Sequence, residues 1–187
     1  MGKVILGLTI SLDGFAEDIH GSVGALYPDL DTLKETEYMN GSILTTGAVV
    51  MSKKEFEGAD DPDLYAEGYE YQVPIFVFTD KVPDKHPKES DKITFTFVTN
   101  GVEQAIIQAK AAAGDKDVNI IGSALSTPLC LNTKLVDELQ IDIIPIFLKS
   151  GYKPFESIAN VKLERIQTLE LPAGRTHLCF EVYNSME

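Results

Sequence analysis

Cysteine and histidine are scarce in this chain of 187 residues, which holds two of the first and three of the second. Cys130 and Cys179 lack Cys-x-x-Cys spacing, so they imply neither a disulfide framework nor a zinc site. They read as small buried hydrophobes, and a reducing cytoplasm suits them. His20, His86 and His177 lie in three separate contexts with no i, i+4 pair. No metal is expected, and each histidine reads as a surface or structural residue. Basic residues are few as well: 16 Lys and Arg against 29 Asp and Glu give a formal net charge of -13. Neutralising phosphates by counterion release takes clustered Lys and Arg, so nucleic acid is excluded as a partner. No apolar run approaches the roughly 18 residues that argue for a membrane span. The run after Lys3 is only as long as a strand, so no signal peptide is expected and the Asn40-Gly41-Ser42 sequon reads as unglycosylated. Gly-x-Gly-x-x-Gly, a Walker loop, a Gly-x-Ser-x-Gly elbow and His-Glu-x-x-His are all missing, which removes the Rossmann, P-loop, α/β-hydrolase and zincin readings.

What is present is a chain 44% hydrophobic, long enough to bury a core as one domain over residues 1–187. Lys3–Ser11 is a near-continuous apolar run of the kind found in strands covered on both faces, and it stops at Asp13-Gly14. Asp31–Tyr38 reads as a short polar helix and Ser42–Thr46 as a second buried strand closed by Gly47. Pro74–Thr79 and Ile93–Val98 read as further strands. Glu57–Tyr71, headed by Asp60-Asp61-Pro62-Asp63, reads as a solvated loop. Val102, Ala105, Ile106 and Ala109 recur at helical spacing, which predicts a helix over Val102–Ala113 ended by Gly114. Asp117–Ile121 predicts a strand, with a helix from Gly122-Ser123 through Cys130 after it. Leu139–Leu148 predicts a long strand, and Lys162–Leu171 with Arg175–Tyr183 an antiparallel hairpin around Pro172-Ala173-Gly174.

Alternating strands and helices imply an α/β layered domain, in which ligands bind beyond the carboxyl ends of parallel strands. Three expected strand ends carry small or polar residues: Thr45-Thr46-Gly47, Thr79-Asp80 and Gly122-Ser123-Ala124. Ser11-Leu12-Asp13-Gly14 adds a carboxylate just past the first strand, although an ordinary turn also uses Asp-Gly.

The order of Ser11-Leu12-Asp13-Gly14, Ile120-Ile121-Gly122-Ser123-Ala124, Leu135-Val136-Asp137-Glu138-Leu139 and Ile144-Pro145-Ile146 up to Phe155 resembles the riboflavin-biosynthesis reductase domain and its dihydrofolate-reductase-like relatives. The resemblance implies a three-layer α/β/α fold with a mixed, mostly parallel sheet, a homodimer, and hydride transfer from NADPH or NADH to a C=N or C=O of a pterin-like or ribosylaminopyrimidine substrate. It also implies that Thr46 and Gly47 border the pyrophosphate and nicotinamide, Thr79 the adenosine, and Gly122, Ser123 and Ala124 the diphosphate. Asp13 would face the substrate as proton donor or electrostatic partner, with Glu35 or Asp31 as alternatives. Where the family carries Arg after Gly47 and Ser-Arg after the third strand, this chain has Ala48 and Thr79-Asp80. Loss of both cations predicts no preference for NADPH over NADH. A second reading follows from the same loss: a reductase-like fold that binds a ligand or partner without a cofactor. A flavin-dependent variant is a third.

Overall fold

The computed structural model describes residues 2–59 and 61–184, so Asp60 of the expected loop lies outside the described residues. In chain order the elements are β1 (Val4–Ser11), α1 (Leu30–Lys34), α2 (Glu37–Thr45), β2 (Thr46–Ser52), α3 (Lys53–Glu57), α4 (Tyr65–Gly68), β3 (Ile75–Phe78), β4 (Phe95–Val98), α5 (Val102–Ala113), β5 (Asp117–Ile121), α6 (Ser126–Leu131), β6 (Glu138–Ile144), β7 (Val161–Glu170) and β8 (Thr176–Asn184). The strands belong to a mixed eight-stranded sheet. The chain forms two compact units, one holding Ile43–Ile121 with the residues up to Val4, the other Ile5–Ser42 with the chain from Gly122 onward. Among the described residues no helix is long and apolar enough to cross a membrane.

In the first unit the strands run β4-β3-β2-β5, all parallel. Helix α5 matches its expected bounds because Ala105, Ile106 and Ala109 make one buried stripe, and Gly114, at φ +63, supplies the left-handed residue that ends it. The second strand is a correction. Ser42–Thr46 is not a strand: α2 runs through Thr45, and β2 begins at Thr46, where the sequence reading had a strand ending. The buried run Ala48-Val49-Val50-Met51 takes the strand position instead. Ser52 then ends it by capping α3: its hydroxyl accepts the Lys54 N–H at 3.1 Å, and Glu55 Oε2 accepts the Ser52 N–H at 2.7 Å. Glu57–Tyr71 is also not a plain loop. Asp61 caps a short 3-10 turn, α4 follows, Tyr65 and Tyr71 are buried, and the Asp63 carboxylate accepts Lys85 Nζ and the Lys88 N–H.

In the second unit the order is β1-β6-β8-β7, with β1 and β6 parallel and the other two pairings antiparallel. The C-terminal hairpin stands as expected, turning at Pro172–Gly174 with Ala173 left-handed at φ +57. Strand β6 stops at Ile144, earlier than expected, and Pro145 follows. Helix α6 begins at Ser126, three residues later than read from the sequence.

Candidate functional site

Strand register in the second unit places Thr9, Asp142 and His177 in one row across β1, β6 and β8. Register partners present their side chains to the same face, and Arg175, two residues before His177, joins them. All four are polar, yet Arg175, His177 and Thr9 are buried. The guanidinium uses every donor it has. Nε and Nη2 grip the two oxygens of Asp29 at 3.1 and 2.6 Å, Nη2 also donates to Leu26 O at 3.0 Å, and Nη1 donates to Thr9 Oγ1 at 3.2 Å and Asp142 Oδ2 at 3.4 Å. Burial works against the charge of Arg175, but the Asp29 bond and the charges of Asp142 and Asp29 hold its pKa above the ordinary value. Tyr27, whose ring lies 5.4 Å from Arg175 Cζ, has its phenol pushed up mainly by burial.

Behind Asp142 stands His177, its Nδ1 2.7 Å from Asp142 Oδ1. The Tyr38 ring lies 4.3 Å from the imidazole, and its hydroxyl donates to Gln140 Oε1 at 3.0 Å. Gln140 Nε2 and Cys179 Sγ both donate to Glu138 Oε1, at 2.8 and 2.9 Å. None of Asp29, Asp142, Arg175 and His177 stood out in the sequence as functional. Their signal is polar residues two apart on paired strands, Gln140 and Asp142 against Arg175 and His177, which reads equally well as a solvent-facing edge. Asp31 and Glu35, the expected alternatives, are exposed, and the buried acid of that segment is Asp29.

Asp13, expected to face a substrate, is engaged by its own chain. Its Oδ1 accepts the Ser11 hydroxyl at 2.6 Å and the Leu148 N–H at 3.1 Å, and its Oδ2 accepts the Lys149 N–H at 2.8 Å. The Ser11 bond first, joined by the backbone bonds and opposed by burial, holds its pKa below the ordinary carboxylate value. A proton donor near neutrality needs the opposite shift. The geometry makes Asp13 a latch between the β1 turn and the loop after β6.

The turn at Gly122-Ser123-Ala124 is likewise engaged by its own chain. The Gly122 N–H donates to Gly7 O at 2.7 Å, Ser123 N–H to Ser126 Oγ at 2.8 Å, Ala124 N–H to Glu17 Oε1 at 3.3 Å, and Thr127 N–H to Ser123 O at 3.1 Å. A Cβ at Gly122 would meet Gly7 O at 2.7 Å, so the glycine serves close packing on β1. As it stands this turn does not fit a diphosphate, because its amides are spent and a carboxylate faces Ala124.

In the first unit Thr46 and Gly47 open β2 rather than close it, so they do not stand at a carboxyl strand end. A Cβ at Gly47 would meet Lys116 Cβ at 2.7 Å, and Ala48 is wholly buried within the strand. The residues beyond the carboxyl end of β2 are Lys53 and Lys54, level with Thr79 through the pairing of Ser52 with Phe78. Cations therefore do stand beyond the second strand. Lys53 Nζ lies 3.8 Å from Asp80 Oδ1 and 3.9 Å from Glu57 Oε1. The Thr79 hydroxyl closes its own turn, donating to Lys81 O at 2.7 Å and accepting the Lys81 N–H at 3.1 Å. Among the described residues no group of three or more His, Cys, Asp or Glu could hold a metal.

No family model matches the chain. An uncharacterised protein of Bacillus subtilis, YyaP, is 23% identical over 95% of this chain and 94% of its own length. A crystal structure of a riboflavin biosynthesis protein from Shewanella sp. PV-4 superposes with a TM-score of 0.72 at 19% identity, covering 97% of this chain and 99% of that one. The dihydrofolate reductase of Enterococcus faecalis, solved with NADP(H), superposes at 0.64 and 15% identity over 98% of both chains. The chain has the dihydrofolate-reductase-like fold.

Proposed function

We propose that the chain is a nicotinamide-dependent reductase of a C=N or C=O group in a small heterocyclic substrate, acting as a homodimer. The observation that carries this reading is the pair of lysines, Lys53 and Lys54, at the carboxyl end of β2 beside Thr79, in a fold shared over its whole length with a dihydrofolate reductase that holds NADP(H). Lys53 and Lys54 fit the phosphate of the adenosine end, and Thr79 borders the adenosine. A bound nicotinamide supplies hydride, and the chain supplies binding and orientation. Among the described residues no strand pairs with the outer edge of β7, a ten-residue strand at the rim of the sheet, and that edge suits a second copy.

The chain has seven tyrosines and no tryptophan, so tyrosine emission reports binding directly. On titration, NADPH should bind at least about tenfold more tightly than NADH, the worth of one charge-assisted contact to phosphate. Lys53→Ala with Lys54→Ala should equalise the two. Failure of both dinucleotides to change tyrosine emission or to show transferred nicotinamide fluorescence would sink the reading. The engaged amides of the Gly122–Thr127 turn favour a second reading, a ligand-binding protein without cofactor, which that failure would support. A yellow purified protein would indicate flavin.

A further inference from the structure

The first unit carries a cavity at the end of α5, and two cations line it. Its volume is about 190 Å³, and its walls are Gly2, Lys110, Ala111, Gly114, Lys116 and Val118. Asp117 pairs with Thr46, so the cavity lies at the amino ends of β2 and β5. Lys53 and Lys54 follow the carboxyl end of β2. The seven residues of that strand, at about 3.3 Å each, set the two places roughly 20 Å apart.

Other lysines of this unit find acids. Lys53, Lys81, Lys85 and Lys88 each lie against a carboxylate. The two lysines of the cavity do not. Lys110 is half-buried, and among the described residues its ammonium has no partner. Lys116 Nζ donates to Leu44 O at 3.0 Å, which leaves two of its three donors open. The carboxylate next in sequence, Asp117, turns its Oδ1 to the Lys3 N–H at 2.8 Å instead. In a chain of 29 acids against 16 Lys and Arg, two lysines on one cavity without a carboxylate run against the overall balance. The negative end of the α5 dipole accounts for one cation in its last turn, Lys110. It accounts neither for the second nor for the cavity. Like charges lining one cavity repel, and a bound anion reverses the sign.

The walls define the rest of the ligand. Ala111 and Val118 are apolar, and lysine stems are apolar along their length. A Cβ on Gly2 would run into Lys116 O, whereas one on Gly114, at φ +63, would meet nothing within 4 Å, so space remains beside that residue. A cavity of about 150 Å³ takes a benzene ring, so this one has room for a ring that carries a carboxylate.

We propose that this cavity is a binding site for a small carboxylate with an apolar body, its charge held by Lys110 and Lys116 and its body set against Ala111 and Val118. All six wall residues belong to the first unit, and the lysines of β2 take no part. The site therefore stands or falls separately from dinucleotide binding.

Benzoate is the probe, and benzyl alcohol, of similar shape without charge, is its control. Calorimetric titration of the full chain should show benzoate binding at millimolar concentration and benzyl alcohol binding at least about tenfold more weakly, the worth of a charge-assisted contact. In the protein labelled with 15N-glycine, benzoate should displace the amide resonance of Gly114, with Gly114→Asn, which keeps the left-handed cap, fixing the assignment. Lys110→Gln should weaken benzoate at least about tenfold, and Ala111→Leu should abolish its binding by filling the cavity. Three results would overturn the proposal: no binding at millimolar benzoate, equal binding of benzyl alcohol, or benzoate binding that leaves Gly114 unmoved or survives Lys110→Gln. Should Ala111→Leu not fold, Lys110→Gln and the glycine spectrum of the unmodified protein still decide. Failure of the dinucleotide titration with benzoate binding intact refutes the reductase reading alone.

Discussion

Replacing Arg175 by alanine removes five hydrogen bonds at once, and the loss lies mainly in what stays behind. Asp29, almost wholly buried, keeps a carboxylate whose two partners have gone, while Thr9 Oγ1 and Leu26 O each lose a donor. Breaking a buried ion pair by deleting one partner costs about 3–5 kcal/mol, because an uncompensated charge remains in low dielectric. A domain is stable by only about 5–15 kcal/mol, so the variant should lose about a fifth or more of the total. At about 2–4 °C per kcal/mol for this chain length, the melting temperature should fall by roughly 6–20 °C. Arg175→Lys keeps the charge but not the fork, and should fall between. The double variant Asp29→Asn with Arg175→Gln removes both charges and should recover part of the loss, giving a coupling that a double-mutant cycle reads. Urea unfolding followed by circular dichroism, checked by calorimetry, measures these proteins together with the single variants Asp29→Asn and Arg175→Gln that the cycle needs. If Arg175→Ala costs under about 1 kcal/mol, or the double variant is the sum of the singles, the guanidinium is not the clasp described.

Gly151, at φ +148, would place a Cβ 2.0 Å from Glu17 O, so Gly151→Ala should destabilise by more than about 2 kcal/mol in urea unfolding. Gly41, in the interior of α2 with open space around it, should instead gain about 0.4–1 kcal/mol as alanine in the same assay. Asp80→Asn frees Lys53 from one of its two acids and should raise affinity for NADPH relative to NADH in the tyrosine titration, an effect that fades with added salt. Stability should fall in acid. The folded pKa is depressed for Asp13 chiefly by the Ser11 hydroxyl, for Asp18 by the Ser22 amide, for Asp63 by Lys85 and for Glu89 by the Phe95 amide. The unfolded state therefore binds these protons more readily, so the contribution is complete above the unfolded carboxylate values and lost as pH falls through the folded ones. The urea midpoint should drop below about pH 4, and Asp13→Asn should flatten that drop.

How much of this was open to a reader of the sequence depends on whether a local signal had a rival. Helix α5 and strand β5 were legible to the residue, because Gly101 and Gly114 bound one and an alternating apolar run marks the other. Strand β2 was misplaced because Ile43-Leu44 and Ala48–Met51 are both short apolar runs, and periodicity cannot tell a strand from a helix over so few residues. Gly41 lies inside α2. The deciding signal was there: Ser52 and Glu55 have capping-box spacing, which fixes the start of α3 and so the end of β2. Moving that one boundary changes which residues stand at the carboxyl end of β2, from Thr46 and Gly47 to Lys53 and Lys54.

The buried cluster was hidden for a different reason. A strand of alternating polar and apolar residues normally turns its polar side to water, so Gln140 and Asp142 in β6 and His177 in β8 look like exposed positions. Only the pairing shows that acid lies opposite base, Asp142 against His177, with Arg175 reaching Asp29 from 146 residues away. Complementary charge across a register is invisible until the register is known. Asp13, which the sequence offered as both turn residue and substrate partner, is the opposite case. Its three hydrogen bonds choose the turn, since a carboxylate already holding a hydroxyl and two amides has little left to offer a substrate. By the same accounting Arg175, with five donors spent, holds the structure together.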